Sequence, residues 1–238
     1  MSNASKENLS KSLRRDGIVV VDDYLKETRC DELKEKIDNR IENGIRTSNP
    51  SMGYADMAEA DEPILNQRSG DRDDGMIDIF NMDLVVPKLS DLKDDNFIIE
   101  VINNAEQKKY TVDSLNVYVN RSVTNTRNYH ADTYDGKYKF FIYLTDVQDL
   151  SYGPFSYVKK SHQPSRARRI FRSYTNKIIR GVPSTNAVTY DESNKKICTA
   201  PKGTLIIANQ AGLHRGMPQE EGKERIMISA HCVPQSHE

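Results

Sequence analysis

Short runs of β-branched and aromatic residues fill the chain from about residue 105 to its end. The strand-like runs cover residues 110–119, 138–144, 155–158, 204–208 and 226–232, with turn residues such as Asp135-Gly136 and Gly153-Pro154 between them. Many short strands with frequent turns are typical of two packed sheets, either a sandwich or a jelly roll. We therefore expect a double-sheet barrel with a hollow between its sheets, in which a metal can sit.

Helical patterns dominate the first hundred residues. Residues 9–22 predict a short helix that stops near Gly17 and leads into the strand-like run at 18–21. A second helix is predicted over 26–43, where apolar residues recur every four positions, and a third over 94–105. Helices followed by many strands predict a mainly β (α+β) fold in which flanking N-terminal helices brace the outside of the barrel.

One domain is the simplest organisation for residues 1–238, because the chain has no internal repeat, low-complexity tract or Pro/Ser-rich linker. Residues 1–8 read as a polar tail. Residues 45–75 are polar and acidic, without a clear helical or strand period. A segment of that length inside a domain is often functional, so we expect a lid or mobile loop there.

The charge balance limits the partners. The chain has 34 Lys and Arg against 35 Asp and Glu, a net charge of -1, which argues against a polycation that coats nucleic acid. No run of about 18 apolar residues predicts a membrane span, and the N-terminus lacks the apolar run of a secretory signal. Cys30, Cys198 and Cys232 are scattered without CxxC spacing, as expected for reduced thiols in a cytoplasmic protein.

His130 and Asp132 are the first candidates for chemistry. Residues two apart on a strand project from the same face, so His130-Ala131-Asp132 offers an imidazole and a carboxylate to one ion. The pair alone is a weak signal, because in a chain this acidic it is expected by chance roughly half the time. His214 follows a strand-like run after one tight turn, and Arg225 begins the next strand. Together these residues indicate a metal site beside a guanidinium that holds an anion.

Further motifs occur in the same order as in a known family. They are Leu13-Arg14-Arg15-Asp16-Gly17-Ile18-Val19-Val20, then Phe141-Ile142-Tyr143-Leu144-Thr145-Asp146-Val147 with Gly153-Pro154-Phe155, Ser161-His162, and Gly203-Thr204-Leu205 through His214-Arg215-Gly216 to Arg225. With these motifs the chain resembles the phytanoyl-CoA dioxygenase-like family of iron(II)- and 2-oxoglutarate-dependent oxygenases over nearly its whole length. It departs from the pattern at Lys159-Lys160, where many relatives have Pro-Gly.

The resemblance implies a double-stranded β-helix (cupin or jelly-roll) barrel with Fe(II) as the metal and with 2-oxoglutarate and dioxygen as co-substrates. His130, Asp132 and His214 would be the catalytic metal ligands, a facial triad that leaves coordination positions open. Arg225 would bind the C5 carboxylate of 2-oxoglutarate. Succinate and CO2 would be released as the substrate is hydroxylated. Further co-substrate contacts proposed from their strand positions are Ser229, Asn116, Tyr118 and Lys139.

A basic run covers residues 159–180, where eight Lys and Arg residues occur with no acid among them. If residues 165–180 form a helix, its Arg residues lie opposite an apolar face. One interpretation is a solvated helix face. The other is that Arg166 and Arg169 attract a small anionic substrate, which would be phosphorylated, glycan-linked or CoA-linked.

Two other classes of protein stay open at this point. A cupin-fold metal-binding protein or isomerase would keep the barrel and the metal without activating dioxygen, but the presence of Arg225 beside the triad disfavours it. An anion- or nucleic-acid-binding module would use the basic segment 159–180, which lacks the interleaved aromatic residues that stack on bases.

Overall fold

Two sheets face each other in the computed structural model of the chain, which describes residues 3–70, 72–165 and 189–235. Within these residues the strands are β1 (Ile18–Val21), β2 (Arg46–Thr47), β3 (Ile64–Gln67), β4 (Ile77–Phe80), β5 (Tyr110–Arg121), β6 (Tyr138–Tyr143), β7 (Phe155–Val158), β8 (Lys195–Cys198), β9 (Leu205–Asn209), β10 (His214–Gly216) and β11 (Glu224–Pro234). The larger sheet has the order β1-β9-β6-β11-β5-β4-β3-β2, and the smaller sheet has the order β10-β7-β8. The predicted mainly β jelly-roll architecture is confirmed.

Helices cover the outer face of the larger sheet. They are α1 (Asn3–Asp16), α2 (Glu27–Glu42) and α4 (Asn96–Glu106), whereas the short α3 (Tyr54–Ala58) packs through Met57 against Phe80 of β4. Apolar side chains of α2 and α4, such as Leu33, Ile37 and Ile102, share one core with Val117 and Ile228 of the sheet. Full burial of a side chain of this kind contributes about 1.5–3 kcal/mol. The helices are therefore held to the sheet mainly by apolar contacts, as the predicted bracing requires.

The first helix begins earlier than its sequence pattern indicates. Residues 3–8, predicted as part of a polar tail, form the first turns of α1. Lys6 anchors these turns through an ion pair with Glu100 of α4, a tertiary contact that the local sequence does not reveal. The helix ends at Asp16 because Gly17 takes a left-handed φ of +79°. A Cβ at Gly17 would also lie 2.5 Å from His162 Nδ1. Glycine is therefore required at this position by the lack of space as well as by the backbone conformation.

The inner face of the larger sheet meets the smaller sheet in a second core. Phe141, Tyr143 and Met227 of the larger sheet pack there with Phe155 and Tyr157 of β7. Because side chains alternate along a strand, positions 225 and 229 point to the same inner side as Met227, and position 139 points to the same side as Phe141. The inner side of the larger sheet therefore carries both apolar core residues and the predicted site residues.

The segment 45–75 contains regular structure that its sequence does not predict. It contributes β2, α3 and β3, and β3 pairs antiparallel with β4 of the larger sheet. Met57, Ile64 and Phe80 form a small apolar cluster beneath it. Elements of two to five residues are too short to give a measurable hydrophobic period, which is why the pattern fails here. The lid role of this segment remains a prediction.

The longer predicted elements match the structure with shifts of a few residues at their ends. Helices α2 and α4 correspond to the predicted 26–43 and 94–105, whereas β4 and β8 are additional strands. Arg166, Arg169 and the rest of the predicted basic helix beyond Ser165 lie outside the described residues. In the described parts of the chain, every helix is too short or too polar to span a bilayer.

Candidate metal centre

The predicted metal ligands come from two segments that run side by side. The backbone N–H of His130 donates to the carbonyl of His214 (3.1 Å), and the N–H of His214 donates to the carbonyl of His130 (2.9 Å). The N–H of Asp132 donates to the carbonyl of Gln210 (2.9 Å), in the turn before β10. Backbone pairing therefore brings the three side chains together.

Both imidazoles are oriented by backbone carbonyls. His130 Nδ1 donates to the carbonyl of Asn128 (2.8 Å), and His214 Nδ1 donates to the carbonyl of Gly212 (2.9 Å). A carbonyl oxygen can only accept, so in each neutral ring the proton is on Nδ1 and the Nε2 lone pair is free for a metal. Each Nε2 lies 3.5 Å from one oxygen of Asp132. The three ligand atoms lie within 4.8 Å of one another, close enough to bind one ion.

Burial and charge set the protonation of these groups. Burial lowers the pKa of His130, which keeps the ring neutral. Burial alone would raise the pKa of Asp132, but the charge of Lys139 is the largest of the effects that oppose burial, and this pKa is held well below its usual range. His130 Nε2 has no hydrogen-bond partner among the described residues. One anionic carboxylate and two imidazoles form a donor set that suits Fe(II) and similar divalent metals.

Lys139 pairs with the carboxylate of this cluster. Its Nζ lies 2.6 Å from Asp132 Oδ2. The lysine faces Ala208 and His231 on the neighbouring strands, so it lies on the inner side of the larger sheet. Burial lowers the pKa of Lys139, but the charge of Asp132 more than offsets this effect, and the pKa is raised overall. The charged ammonium therefore holds one oxygen of Asp132 in place.

Arg225 is a buried cation that forms no ion pair with any described residue. The residue is 2% exposed, and its Nε and Nη1 atoms have no hydrogen-bond partner within the described chain. Burial lowers the pKa of this guanidinium. An unpaired buried charge costs several kcal/mol, and a carboxylate placed against the guanidinium fork removes that cost. The arrangement therefore fits an anionic ligand.

The guanidinium of Arg225 lies against β10, the strand that begins with His214. A Cβ built on Gly216 would lie 3.2 Å from Arg225 Nη2, closer than an ordinary van der Waals contact. Glycine at this position leaves space for the guanidinium of Arg225. Gly216 is two residues after His214, so the two positions share one face of the strand. The buried cation and the metal ligands therefore border the same hollow.

Unpaired polar atoms continue from Arg225 along the inner side of the sheet. In the pairing of β11 with β5, Arg225 faces Asn120 and Ser229 faces Asn116. Ser229 Oγ and the Oδ1 atoms of both asparagines are buried and have no hydrogen-bond partner in the part of the chain that is described. Buried polar groups are normally paired. This row of atoms therefore indicates a polar ligand between the sheets.

Most predicted site residues meet in this hollow. The triad, Arg225, Ser229 and Asn116 line it, and Tyr118 lies on β5 opposite Met227. Lys139 also lies on the inner side, where Asp132 engages its ammonium. Arg166 and Arg169 are outside the described residues.

Two further residues of the hollow, Asn120 and Gly216, are not among the predicted site residues. Asn120 continues the alternation of Asn116 and Tyr118 by one further step, so its signal was present in the pattern. Gly216 was part of a motif, but its contact with the arginine depends on how two strands pack.

Comparisons with known proteins give a consistent fold. No protein-family model and no curated protein matches the chain. Among solved structures, the alpha-ketoglutarate-dependent epimerase SnoN from nogalamycin biosynthesis superposes with a TM-score of 0.69 at 15% identity, covering 98% of this chain and 82% of SnoN. HygX from Streptomyces hygroscopicus, solved with nickel and 2-oxoglutarate bound, superposes with a TM-score of 0.64 at 12% identity, covering 99% of this chain and 88% of HygX. The non-heme monooxygenase ThoJ, in a nickel complex, superposes with a TM-score of 0.62 at 13% identity, covering 95% of this chain and 77% of ThoJ. This chain has the fold of these enzymes.

Proposed function

We propose that the protein is an Fe(II)- and 2-oxoglutarate-dependent oxygenase in which His130, Asp132 and His214 hold the metal. The observation that carries the proposal is Arg225, whose buried guanidinium has no ion-pair partner among the described residues and borders the same hollow as the three ligands. A protein that only binds a metal does not need this cation. The 2-oxoglutarate bound in HygX supports the same conclusion, because its fold is shared.

Each residue of the hollow has a proposed task. Arg225 pairs with the distal carboxylate of 2-oxoglutarate, and Ser229 and Asn116 complete its hydrogen bonds. Tyr118 borders the co-substrate from β5. The strand position of Lys139 predicts a co-substrate contact, but we now propose that it acts through Asp132, whose carboxylate it holds. When bound, Fe(II) and 2-oxoglutarate supply the oxidising chemistry, with dioxygen as the oxidant and succinate and CO2 as products.

Hydroxylation of a small molecule is the proposed reaction. The ordered motifs that resemble the phytanoyl-CoA dioxygenase-like family support it, and so does the monooxygenase ThoJ. Small-molecule substrates are supported by HygX with hygromycin B and by SnoN with nogalamycin RO. An anionic substrate is proposed from the basic run, through Arg166 and Arg169. Epimerisation is the second candidate, because SnoN is an epimerase of the same fold.

A screen of anionic and neutral small metabolites tests the proposal. Purified protein with Fe(II), 2-oxoglutarate and dioxygen should form succinate faster when a substrate is present, and Asp132→Ala should abolish this stimulation. The mass of the product then separates the reactions, since hydroxylation adds one oxygen atom and epimerisation leaves the mass unchanged. If wild-type protein binds neither the metal nor 2-oxoglutarate, the oxygenase assignment is wrong.

A further inference from the structure

A network of buried charges lies beside the metal centre and contains none of the three metal ligands. Arg68 donates twice to Asp78, from Nε to Oδ2 (2.8 Å) and from Nη2 to Oδ1 (3.2 Å). Arg68 Nη1 also donates to Asp73 Oδ2 (3.2 Å), and Arg127 Nε donates to the same oxygen (2.5 Å). The network therefore joins three charged residues of the β3–β4 hairpin to Arg127, which lies in the loop after β5.

Asp73 is the residue that links the two halves of this network. It is 7% exposed and takes a left-handed φ of +58°, which is uncommon for a residue with a side chain. Its carboxylate accepts from the backbone N–H of Arg127 (3.1 Å), and its own N–H donates to the carbonyl of Asn125 (2.8 Å). Asp73 thus holds the segment 125–127 by both backbone and side-chain bonds.

The segment held by Asp73 leads directly to the first metal ligand. Asn128 follows Arg127, and its carbonyl is the acceptor that orients His130 through Nδ1. Outer partners of this kind fix the ring orientation of a metal-binding histidine and with it the affinity for the metal. The local chain path therefore runs from Asp73 through Arg127 and Asn128 to His130.

We infer that Asp73 is a positioning residue for His130, and that the turn between β3 and β4 thereby sets the metal affinity. The inference rests on the proposed function for the role of His130 as a ligand. The other half of the network, Arg68 with Asp78, ties the same turn to the larger sheet and makes no hydrogen bond to Arg127 or Asn128 in the described structure. The two halves therefore provide matched variants for a test.

Two measurements separate a positioning role from a structural one. The first is the dissociation constant for Co(II), together with the visible absorption of the bound ion, which responds to the orientation of its ligands. The second needs no metal: the ¹⁵N shifts of the His130 ring report which nitrogen carries the proton. We expect Asp73→Asn to weaken Co(II) binding about tenfold and to reduce the Nδ1-protonated tautomer of His130. Arg127→Ala should act in the same direction with a smaller effect, because the backbone bond to Asp73 survives.

Asp78→Asn is the matched control. It should lower the melting temperature, because it disrupts the two hydrogen bonds from Arg68. The dissociation constant for Co(II) and the His130 tautomer should stay as in wild type. Asp113→Asn, at an exposed position of β5, controls for the change of charge alone. If Asp73→Asn does not fold, Arg127→Ala still carries the test. Unchanged Co(II) binding and an unchanged His130 tautomer in both variants would overturn the inference. Failure of wild type to bind Co(II), with the Nδ1 tautomer intact, would instead count against the proposed function.

Discussion

The two ends of the hollow differ in whether their polar side chains find hydrogen-bond or ion-pair partners within the protein. At the metal end, each imidazole donates to a carbonyl, and Asp132 has an ammonium partner 2.6 Å away. At the other end, Arg225 has two nitrogens without partners among the described residues, and Ser229 beside it is unpaired as well. The protein's own groups orient the metal ligands, whereas the arginine end keeps unpartnered polar atoms among the described residues, which we propose a ligand completes. A substitution should therefore act differently at each end.

Removal of the carboxylate ligand should give the largest effect. Asp132→Ala removes the anionic donor, so we expect no detectable Co(II) binding in an optical titration. Lys139 also loses its partner, and stability should fall by about 3 kcal/mol, the low end for a broken buried pair, because the carboxylate keeps some exposure. Asp135→Ala, at an exposed position three residues further on, should bind Co(II) like wild type. Retained metal binding in Asp132→Ala would remove this residue from the ligand set.

Replacement of the buried cation should have the opposite effect on the free protein. Arg225→Met fills similar space without a charge, so the ligand-free protein should become more stable by about 1–4 kcal/mol, as when buried ions are replaced by apolar side chains. Binding of 2-oxoglutarate to the Co(II)-loaded protein should weaken by about 2–4 kcal/mol, with Co(II) affinity unchanged. Calorimetric titration and thermal unfolding with and without 2-oxoglutarate measure both effects. A less stable ligand-free variant would mean that Arg225 has a structural partner.

A smaller effect is expected when the room beside Arg225 is reduced. Gly216→Ala places a Cβ 3.2 Å from Nη2, so the guanidinium has to shift by a few tenths of an ångström. We expect 2-oxoglutarate binding to weaken by about 1 kcal/mol, typical of mild overpacking, while the metal constant stays the same. Gly53→Ala, in an exposed turn with an ordinary φ of -80°, is the control. Equal affinity for 2-oxoglutarate in both variants would show that the contact is not limiting.

The smallest effect should come from the hydroxyl of Ser229. Ser229→Ala removes a buried oxygen that has no partner within the described residues, so the stability of the free protein should hardly change. Binding of 2-oxoglutarate should weaken by about 0.5–1.5 kcal/mol, the value of one hydrogen bond. Calorimetric titration against wild type resolves this difference. An effect as large as that of Arg225→Met would mean that the hydroxyl, and not the guanidinium alone, dominates binding at this end.

The sequence indicated the metal end more completely than the arginine end. His130, Asp132 and His214 are recognisable because their residue types and strand spacing are set by the chemistry of metal binding. Arg225 was recognisable through its place one strand after His214. The contact with Gly216 and the partners of Lys139 depend on how strands pair across the barrel, and a single sequence does not report that pairing.

The prediction of secondary structure succeeded where the elements are long and failed where they are short. The stripe of apolar residues in α2, the aromatic residues of β6 and the apolar residues of β11 specify their structures locally. In the segment 45–75, β2 and β3 form because they find partners in the larger sheet, and α1 begins at Asn3 with its first turns docked on α4. Tertiary contacts of this kind decide short elements, and local propensity does not.

An anaerobic titration of 2-oxoglutarate into the Fe(II)-loaded protein tests most directly whether the two ends form one site. The visible charge-transfer band of the iron chelate of 2-oxoglutarate requires both ligands to be bound at the same place. We predict that the band develops to saturation in wild type, requires much higher 2-oxoglutarate concentrations in Arg225→Met, and is absent in Asp132→Ala. Wild-type protein that binds Fe(II) and 2-oxoglutarate but develops no band would contradict the central claim that the triad and Arg225 serve one centre.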